Sequence, residues 1–148
     1  MRGRWALGAM LLVLTAWPTP GRAGDPPAIR VSELYASSGP LGLAFSSAAT
    51  QLQGKAIRMR GYMAPPLKAE ARFFVLTAQP VAVCPFCQSD ADWPQDIVVV
   101  YVGGSGWRFR SAAEPVEVSG VLDLGPRTDP DTGFVSQVRL LSATVRAG

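Results

Sequence analysis

From residue 55 onward, apolar side chains recur at every second position, which is the period of a half-buried β-strand. In Lys55–Ala64, one face is apolar and the other carries Arg58, Arg60 and Tyr62. Gly61 interrupts the apolar face, which indicates a bulge or a close backbone approach. Four further segments have strand character: Arg72–Thr77, Ile97–Val102, Val116–Leu124 and Phe134–Val145. The pattern therefore predicts a mainly β protein with five strands.

Two of these strands carry specific expectations about burial. Ile97–Val102 is apolar at almost every position, so both of its faces are expected to be covered. In Phe134–Val145, the alternation predicts that Val138 points inward and Arg139 outward. A stretch rich in turn residues, 125–133, is expected to form the connection before this last strand.

Five strands of unequal length joined by long loops favour a small five-stranded OB-like barrel, with a β-sandwich as the alternative. Apolar residues spaced i, i+3, i+4 and i+7 predict a short N-terminal helix within Leu43–Gln53. The predicted organisation is a signal peptide at 1–23, an N-terminal extension at 24–42 and an OB-like β-barrel domain at 43–148. The proline-rich residues 24–30 are expected to be loose.

The first 23 residues have the layout of a cleavable secretory signal. Arg2 and Arg4 precede a 13-residue apolar run, and Gly21-Arg22-Ala23 ends at a small residue. The apolar run is shorter than the roughly 20 residues that a membrane-spanning helix needs. We therefore predict cleavage after Ala23, a periplasmic or secreted protein, and no stable membrane anchor after cleavage. An uncleaved anchor is the alternative.

Cleavage changes the charge balance of the protein. The whole chain has 14 basic and 11 acidic residues, but residues 1–23 hold three basic and no acidic ones, so the mature chain has 11 of each. A non-specific nucleic-acid-binding protein usually has a basic excess, so the sequence predicts no nucleic-acid partner. The chain also contains no histidine, which excludes a Ser-His-Asp triad.

The residues with the clearest chemistry are Cys84-Pro85-Phe86-Cys87, in the long loop between the second and third predicted strands. Exported cysteines meet oxidising conditions, so a disulfide between Cys84 and Cys87 is the first interpretation. The chain-entropy model gives only about 2 kcal/mol for so small a closed loop. Such a bridge would rigidify the loop more than it would hold the fold, and it would require no cofactor.

A metal site is the second interpretation of Cys84 and Cys87. Two thiolates at this spacing are half of a structural zinc site. Three downstream aspartates are candidate oxygen ligands: Asp90, Asp92 and Asp96. Together with Met63, the two thiolates would suit a soft ion such as Cu(I), although core packing is the more ordinary role of that methionine. The cofactor would then be zinc or copper.

The third interpretation is a small periplasmic thiol–disulfide oxidoreductase, with Cys84 as the nucleophile and Cys87 as the resolving thiol. Such enzymes place the first cysteine at a helix N-terminus, which lowers its pKa. Here the residues that follow Cys87 are few and acidic, and Pro94 comes just before the next predicted strand. The sequence therefore favours a role without catalysis, and free thiols with no role are the last alternative.

Five short motifs follow one another along the chain: Gly61-Tyr62-Met63-Ala64-Pro65-Pro66, Phe73-Phe74-Val75-Leu76, Cys84-Pro85-Phe86-Cys87, Trp93-Pro94 and Val116-Glu117-Val118-Ser119-Gly120-Val121-Leu122. This series resembles uncharacterised bacterial secreted or periplasmic proteins of an OB-like domain-of-unknown-function family with a CxxC loop. The resemblance covers roughly residues 50–145. It implies a periplasmic β-barrel associated with a periplasmic or inner-membrane transport system of the ABC export type.

Relatives of this kind carry Cys and His in the loop where this chain has Cys84 and Cys87, which implies a loop adapted to ligands. The predicted function is a periplasmic accessory or binding module whose CPFC loop is held as a disulfide or binds a soft metal. The thiol–disulfide oxidoreductase stays the alternative function.

Overall fold

The computed structural model describes residues 24–39, 42–66, 72–82, 93–104 and 108–148. In chain order, the elements are a 3₁₀ turn at Val31–Glu33, β1 at Tyr35–Gly39, β2 at Gly42–Phe45, α1 at Ser47–Leu52, β3 at Ala56–Met63, β4 at Phe73–Thr77, β5 at Ile97–Val102, β6 at Pro115–Thr128 and β7 at Val135–Ala147. The mainly β prediction is confirmed, and each predicted strand has its counterpart among β3 to β7. No helix within the described ranges has the length and apolar character needed to cross a membrane.

Strands β3 to β7 close into a barrel in the order β3-β4-β5-β7-β6. Neighbouring strands are antiparallel except β5 and β7, which are parallel. The ring is completed by β3 and β6, which pair from Ala56↔Val121 to Tyr62↔Pro115. Strands β1 and β2 form a separate two-stranded sheet outside the ring.

Gly61 lies where β3 passes closest to β4. A Cβ atom at this position would stand 2.6 Å from the carbonyl oxygen of Thr77 and 2.9 Å from the side chain of Leu76. Only glycine fits at that separation, because a side-chain carbon cannot approach non-bonded atoms so closely. The predicted close backbone approach is therefore confirmed.

The barrel interior is filled by the inward-facing apolar side chains of the five strands. They are Ile57, Met59, Met63, Phe74, Leu76, Val98, Val100, Val116, Val118, Leu122, Val138, Leu140 and Ala143. The N-terminal segment adds Ile29, Val31 and Leu34 to the same core. The Ile29 amide also donates a hydrogen bond of 3.0 Å to the Arg58 carbonyl. The expectation that residues 24–30 are loose is therefore wrong at Ile29, which is tied to β3.

The predicted helix of Leu43–Gln53 is shorter in the structure, because its first residues belong to β2 and only Ser47–Leu52 is helical. The helix starts where Ser46 caps it, since the Ser46 hydroxyl oxygen accepts a hydrogen bond from the Ala49 amide at 3.0 Å. Phe45, the first of the four apolar residues in the predicted helical spacing, instead ends β2 and stacks on Tyr35 across the β1–β2 hairpin, with 5.3 Å between ring centroids.

Val138 lies in the barrel core and Arg139 points away from it, as the alternation predicts, because Arg139 pairs with Val99 of the outer side of β5. Arg139 is nevertheless buried, since only 2% of its surface is exposed. Its Nε donates to Asp123 Oδ2 at 2.8 Å, while its two Nη groups donate to the carbonyl oxygens of Ser136 and Gly125, each at 2.7 Å. A buried guanidinium is tolerated when a carboxylate and further acceptors satisfy its donors. The predicted connection over 125–133 starts later than expected, since β6 continues to Thr128 through an irregularity in its pairing with β7 and the turn follows at Asp129–Gly133.

Candidate functional site

Both cysteines, Asp90 and Asp92 lie outside the described residues, so the site is described from the chain on either side of them. Its base is formed by the side chains of β4 and β5 that alternate with the core residues. We call this set the outer apolar face: Phe73, Val75, Ile97 and Val99. Although these side chains point away from the barrel interior, all four are buried. The expectation that the third predicted strand is covered on both faces is therefore confirmed for its first four residues, Ile97–Val100.

The two ends of the cysteine loop are fixed on this face. Val81, just before the loop, and Trp93, just after it, both pack against the small cluster of Ala64, Val75 and Ile97. The loop therefore leaves and re-enters the barrel over a single apolar patch.

Hydrogen bonds at the end of β4 and the start of β5 hold together the two chain segments that lead into and out of the loop. The Ala78 amide donates to the Asp96 carbonyl at 2.9 Å, which extends the pairing of β4 with β5 by one step. The buried Thr77 hydroxyl lies 2.6 Å from the Gln79 carbonyl oxygen and 3.2 Å from that of Tyr62. These hydrogen bonds join the two chain segments that flank the loop to each other, and they join the first of them to β3.

Trp93 connects the loop to two other parts of the molecule. Its indole Nε1 donates a hydrogen bond of 2.8 Å to the phenolic oxygen of Tyr35 in β1. Its ring also lies 6.4 Å, centroid to centroid, from Phe134, which precedes β7. Burial raises the pKa of Tyr35, against a smaller lowering by the hydrogen bond from Trp93. The phenol is therefore a neutral partner for the indole at any physiological pH.

An aromatic group extends the outer apolar face toward the turn between β6 and β7. Phe73 lies 5.4 Å from Tyr101 and 5.6 Å from Phe134 between ring centroids. Tyr101 donates its hydroxyl hydrogen to Asp129 Oδ2 at 2.9 Å. Asp129 Oδ1 accepts from both the amide and the hydroxyl of Thr132, so one carboxylate organises the turn and anchors β5 to it.

The pKa values in this group follow from that geometry. Burial, the hydrogen bond to Asp129 and the charge of that carboxylate together raise the pKa of Tyr101 to about 12. Burial alone would oppose ionisation of Asp129, but hydrogen bonds from Thr132 and Tyr101 outweigh it and lower the pKa of Asp129 below its usual value. The pair is therefore a phenol donating to a carboxylate, a structural arrangement rather than one poised for proton transfer near neutral pH.

Two residues considered as metal ligands lie in the described chain. Met63 is buried in the barrel interior, where its Sδ accepts a hydrogen bond from the Arg110 amide at 3.4 Å. Asp96 is exposed at the start of β5. Within the ranges that the structure describes, no group of three His, Cys, Asp or Glu side chains is placed to hold a metal ion. Met63 thus has the core-packing role that its position on the strand favoured.

Comparison with known proteins places the fold but not the chemistry. No protein-family model matches the sequence, and no curated protein matches it significantly. Among solved structures, the chain shares its fold with a DUF3299 family protein from Pseudomonas aeruginosa. The two are 16% identical, with a TM-score of 0.57, and the match covers 84% of this chain and 97% of the other. At this identity the likeness concerns the fold alone.

Sequence reasoning missed the residues that anchor Trp93. Tyr35 precedes it by 58 positions, and Phe134 follows it by 41, so no local pattern links the three. The one available signal was Trp93 itself, which stands in the Trp93-Pro94 motif before a predicted strand, but its partners depend on how the barrel closes.

Proposed function

We propose that this chain is an exported accessory or binding module, whose OB-like barrel presents Cys84 and Cys87 on a rigid base. In the proposed form the two sulfurs are paired as a disulfide or together hold a soft metal ion such as zinc or Cu(I). The module would act outside the cytoplasm, as the predicted signal at residues 1–23 requires, alongside a periplasmic or inner-membrane transport system.

The OB-like assignment is supported by the closed ring of five strands. Proteins of that fold bind oligonucleotides or oligosaccharides on the face of their second and third strands. In this barrel those strands are β4 and β5, and the exposure of Phe73 is 3% and that of Val99 is 0%. Because the chain itself covers this face, a role in binding nucleic acid there is disfavoured.

The observation that carries the proposal is the fixation of both loop ends. Val81 and Trp93 pack on one cluster, and the indole of Trp93 is additionally bonded to Tyr35. Fixing the two ends during folding removes part of the entropy that the loop would otherwise lose when it binds a ligand. Such anchored ends suit presentation of the dithiol or disulfide group to a partner.

The redox enzyme is less well supported by the same region. A low thiol pKa in such enzymes arises from a helix that starts at the first cysteine. The described chain after the loop, Trp93–Asp96, is coil and turn, and it leads directly into β5 of a closed barrel. The loop also carries acidic residues close to Cys87, which raise a thiol pKa instead of lowering it.

The test is native and denaturing mass spectrometry of protein purified from the periplasm without reductant. A disulfide is expected to lower the intact mass by two hydrogens relative to the reduced chain, whereas a metal would add the mass of zinc or copper under native conditions. The matched control is Cys84→Ser/Cys87→Ser, which should show neither change. The same spectrum gives the cleavage position.

A thiol-exchange titration separates the module from the enzyme. A structural bridge is expected to have a reduction potential below about −300 mV and to exchange slowly. A potential well above this value, together with rapid mixed-disulfide formation at Cys84 and not at Cys87, would replace the proposal with the oxidoreductase.

A further inference from the structure

The outer face of β3, β6 and β7 lies on the opposite side of the barrel from the outer apolar face. Strand pairing sets its nine positions in three rows: Arg58, Ser119 and Thr144; Arg60, Glu117 and Arg146; Tyr62, Pro115 and Gly148. We call these nine positions the basic face. The described residues of this face include three arginines and a single acidic side chain, although the mature chain has equal numbers of each charge.

The charges of the basic face are unequally satisfied. Glu117 is directly opposite Arg60 on one side and Arg146 on the other, but its ion pair is with Arg58, at 3.5 Å. Arg58 is further held by its Nε, which donates to the Pro26 carbonyl at 3.0 Å. Arg60 and Arg146 are exposed and form no ion pair with the described part of the chain.

Residues 108–110 lie at the Met63 end of β3, outside the nine positions of the basic face. The Arg110 amide is bonded to Met63 Sδ, and the neighbouring Phe109 is 45% exposed. Arg108 and Arg110 flank this aromatic ring and are exposed themselves. Exposed aromatic and arginine side chains in one place are the composition typical of protein–protein interfaces.

We propose that the basic face is a docking surface for an acidic, extended polypeptide segment of a partner protein. Arg58 and Arg60 are two residues apart on one strand, so their backbone positions are about 7 Å apart, the spacing of alternate side chains in an extended chain. A segment with acidic residues at every second position would therefore match them in register. Arg146, which lies two strands from Arg60 in the same row, would reach a third carboxylate.

A protein segment fits this face better than an anionic membrane surface. Stable binding to a membrane needs buried apolar groups in addition to charge. Among the described residues the large exposed apolar side chains are Phe109 and Val135, and neither belongs to the nine positions. The face instead offers the small hydroxyl side chains of Ser119 and Thr144 beside the arginines, which suits hydrogen bonding to a peptide.

The experiment is fluorescence anisotropy with a labelled peptide of roughly ten alternating Glu and Ser residues, titrated at low salt with the full mature protein. We expect saturable binding, weakened about tenfold in Arg60→Ala/Arg146→Ala, because two exposed ion pairs are lost. The matched control is Arg72→Ala/Arg127→Ala, which removes the same charge from exposed arginines outside the face and should change binding less than about twofold.

Several outcomes would overturn the proposal. The first is absence of peptide binding by the unaltered protein, and the second is an equal loss of affinity in both double variants, which indicates unspecific attraction. The third is binding to vesicles of phosphatidylcholine and phosphatidylglycerol without binding to the peptide. Since neither double variant alters the cysteines, a failure here is distinct from a failure of the proposed role of the CPFC loop.

Discussion

Trp93 donates a hydrogen bond of 2.8 Å to Tyr35, although 58 positions separate them in the chain. The bond ties the end of the cysteine loop to the β1–β2 hairpin, which otherwise lies outside the barrel. The hairpin and the loop are therefore mechanically connected through two aromatic side chains. Any change in the loop that moves Trp93 must therefore either break the hydrogen bond to Tyr35 or move the hairpin with it.

Replacing Trp93 by Phe should remove the hydrogen bond to Tyr35 while keeping an aromatic ring on the cluster of Ala64, Val75 and Ile97. We expect a loss of about 1 kcal/mol in the free energy of unfolding, since a part-buried pair contributes about this much. Tyr35→Phe should cost a similar amount, and the double variant should cost less than the sum. Urea unfolding measures all three, and strictly additive losses would show that the bond is absent in solution.

Arg139→Met should be among the most damaging single changes in the barrel. It leaves the Asp123 carboxylate and two carbonyl groups without their buried donor, at a cost of about 3 kcal/mol. The cost lies at the low end of the usual range because Asp123 is 24% exposed and can reach water. Arg127→Met, which removes the exposed partner of the same aspartate, should cost less than about 1 kcal/mol. Equal losses in urea unfolding would contradict the structural account.

The lowered pKa of Asp129 predicts a dependence of stability on acid. Because the pKa is lower in the folded state, this group stabilises the fold above its unfolded value of about 3.9, and the contribution is lost as the pH falls through the folded value. Asp129→Asn should therefore flatten the fall in unfolding free energy between about pH 5 and pH 2. The exposed neighbour Asp131 provides the control as Asp131→Asn, and an unchanged slope in Asp129→Asn would refute the assignment.

The raised pKa of Tyr101 predicts a loss of stability at high pH instead of at low pH. Its pKa is raised to about 12, so its contribution is complete below the unfolded value of about 10 and is lost as the pH rises through about 12. Phenolate absorbance should show one of the three tyrosines ionising near that value while circular dichroism shows a folded protein. Tyr101→Phe should remove this late step, and persistence of the step would assign it to another tyrosine.

Gly61→Ala tests the close approach of β3 and β4. The added Cβ would meet the Thr77 carbonyl at 2.6 Å, so the strands must separate, at a cost of about 1–3 kcal/mol. Gly103→Ala is the matched control, because its Cβ would meet its nearest neighbours at 3.6 Å, an ordinary contact. A thermal unfolding midpoint that falls equally in both variants would contradict the geometry.

The strands could be predicted because burial on one face imposes a period of two on the sequence. Ile97–Val102 has the same bounds in sequence and structure, since turn residues bound the apolar run at both ends. The close approach at Gly61 could be predicted equally well, because a glycine within the apolar face of a strand usually marks a bulge or a tight backbone contact.

The features that could not be predicted from the sequence depend on contacts between distant segments of the chain. Alternation predicts correctly that Arg139 points away from the barrel interior, but its burial depends on Asp123 and on the carbonyl groups of Ser136 and Gly125, which only the folded chain brings to it. Phe45 fitted a helical spacing as well as a strand, and its stacking on Tyr35 decides between them. The packing of Val81 and Trp93 on one cluster could not be predicted either, because the two residues come together only after β4 and β5 have paired.

The hydrogen bond between the Ala78 amide and the Asp96 carbonyl joins the two ends of the loop, and it involves no residue of the segment 83–92. Doubling the length of a flexible connection costs only about 0.6 kcal/mol once its ends are fixed. The segment from residue 83 to 92 could thus be exchanged for an unrelated sequence of similar or greater length with little effect on folding. This makes the barrel a suitable host for grafted peptides between residues 83 and 92.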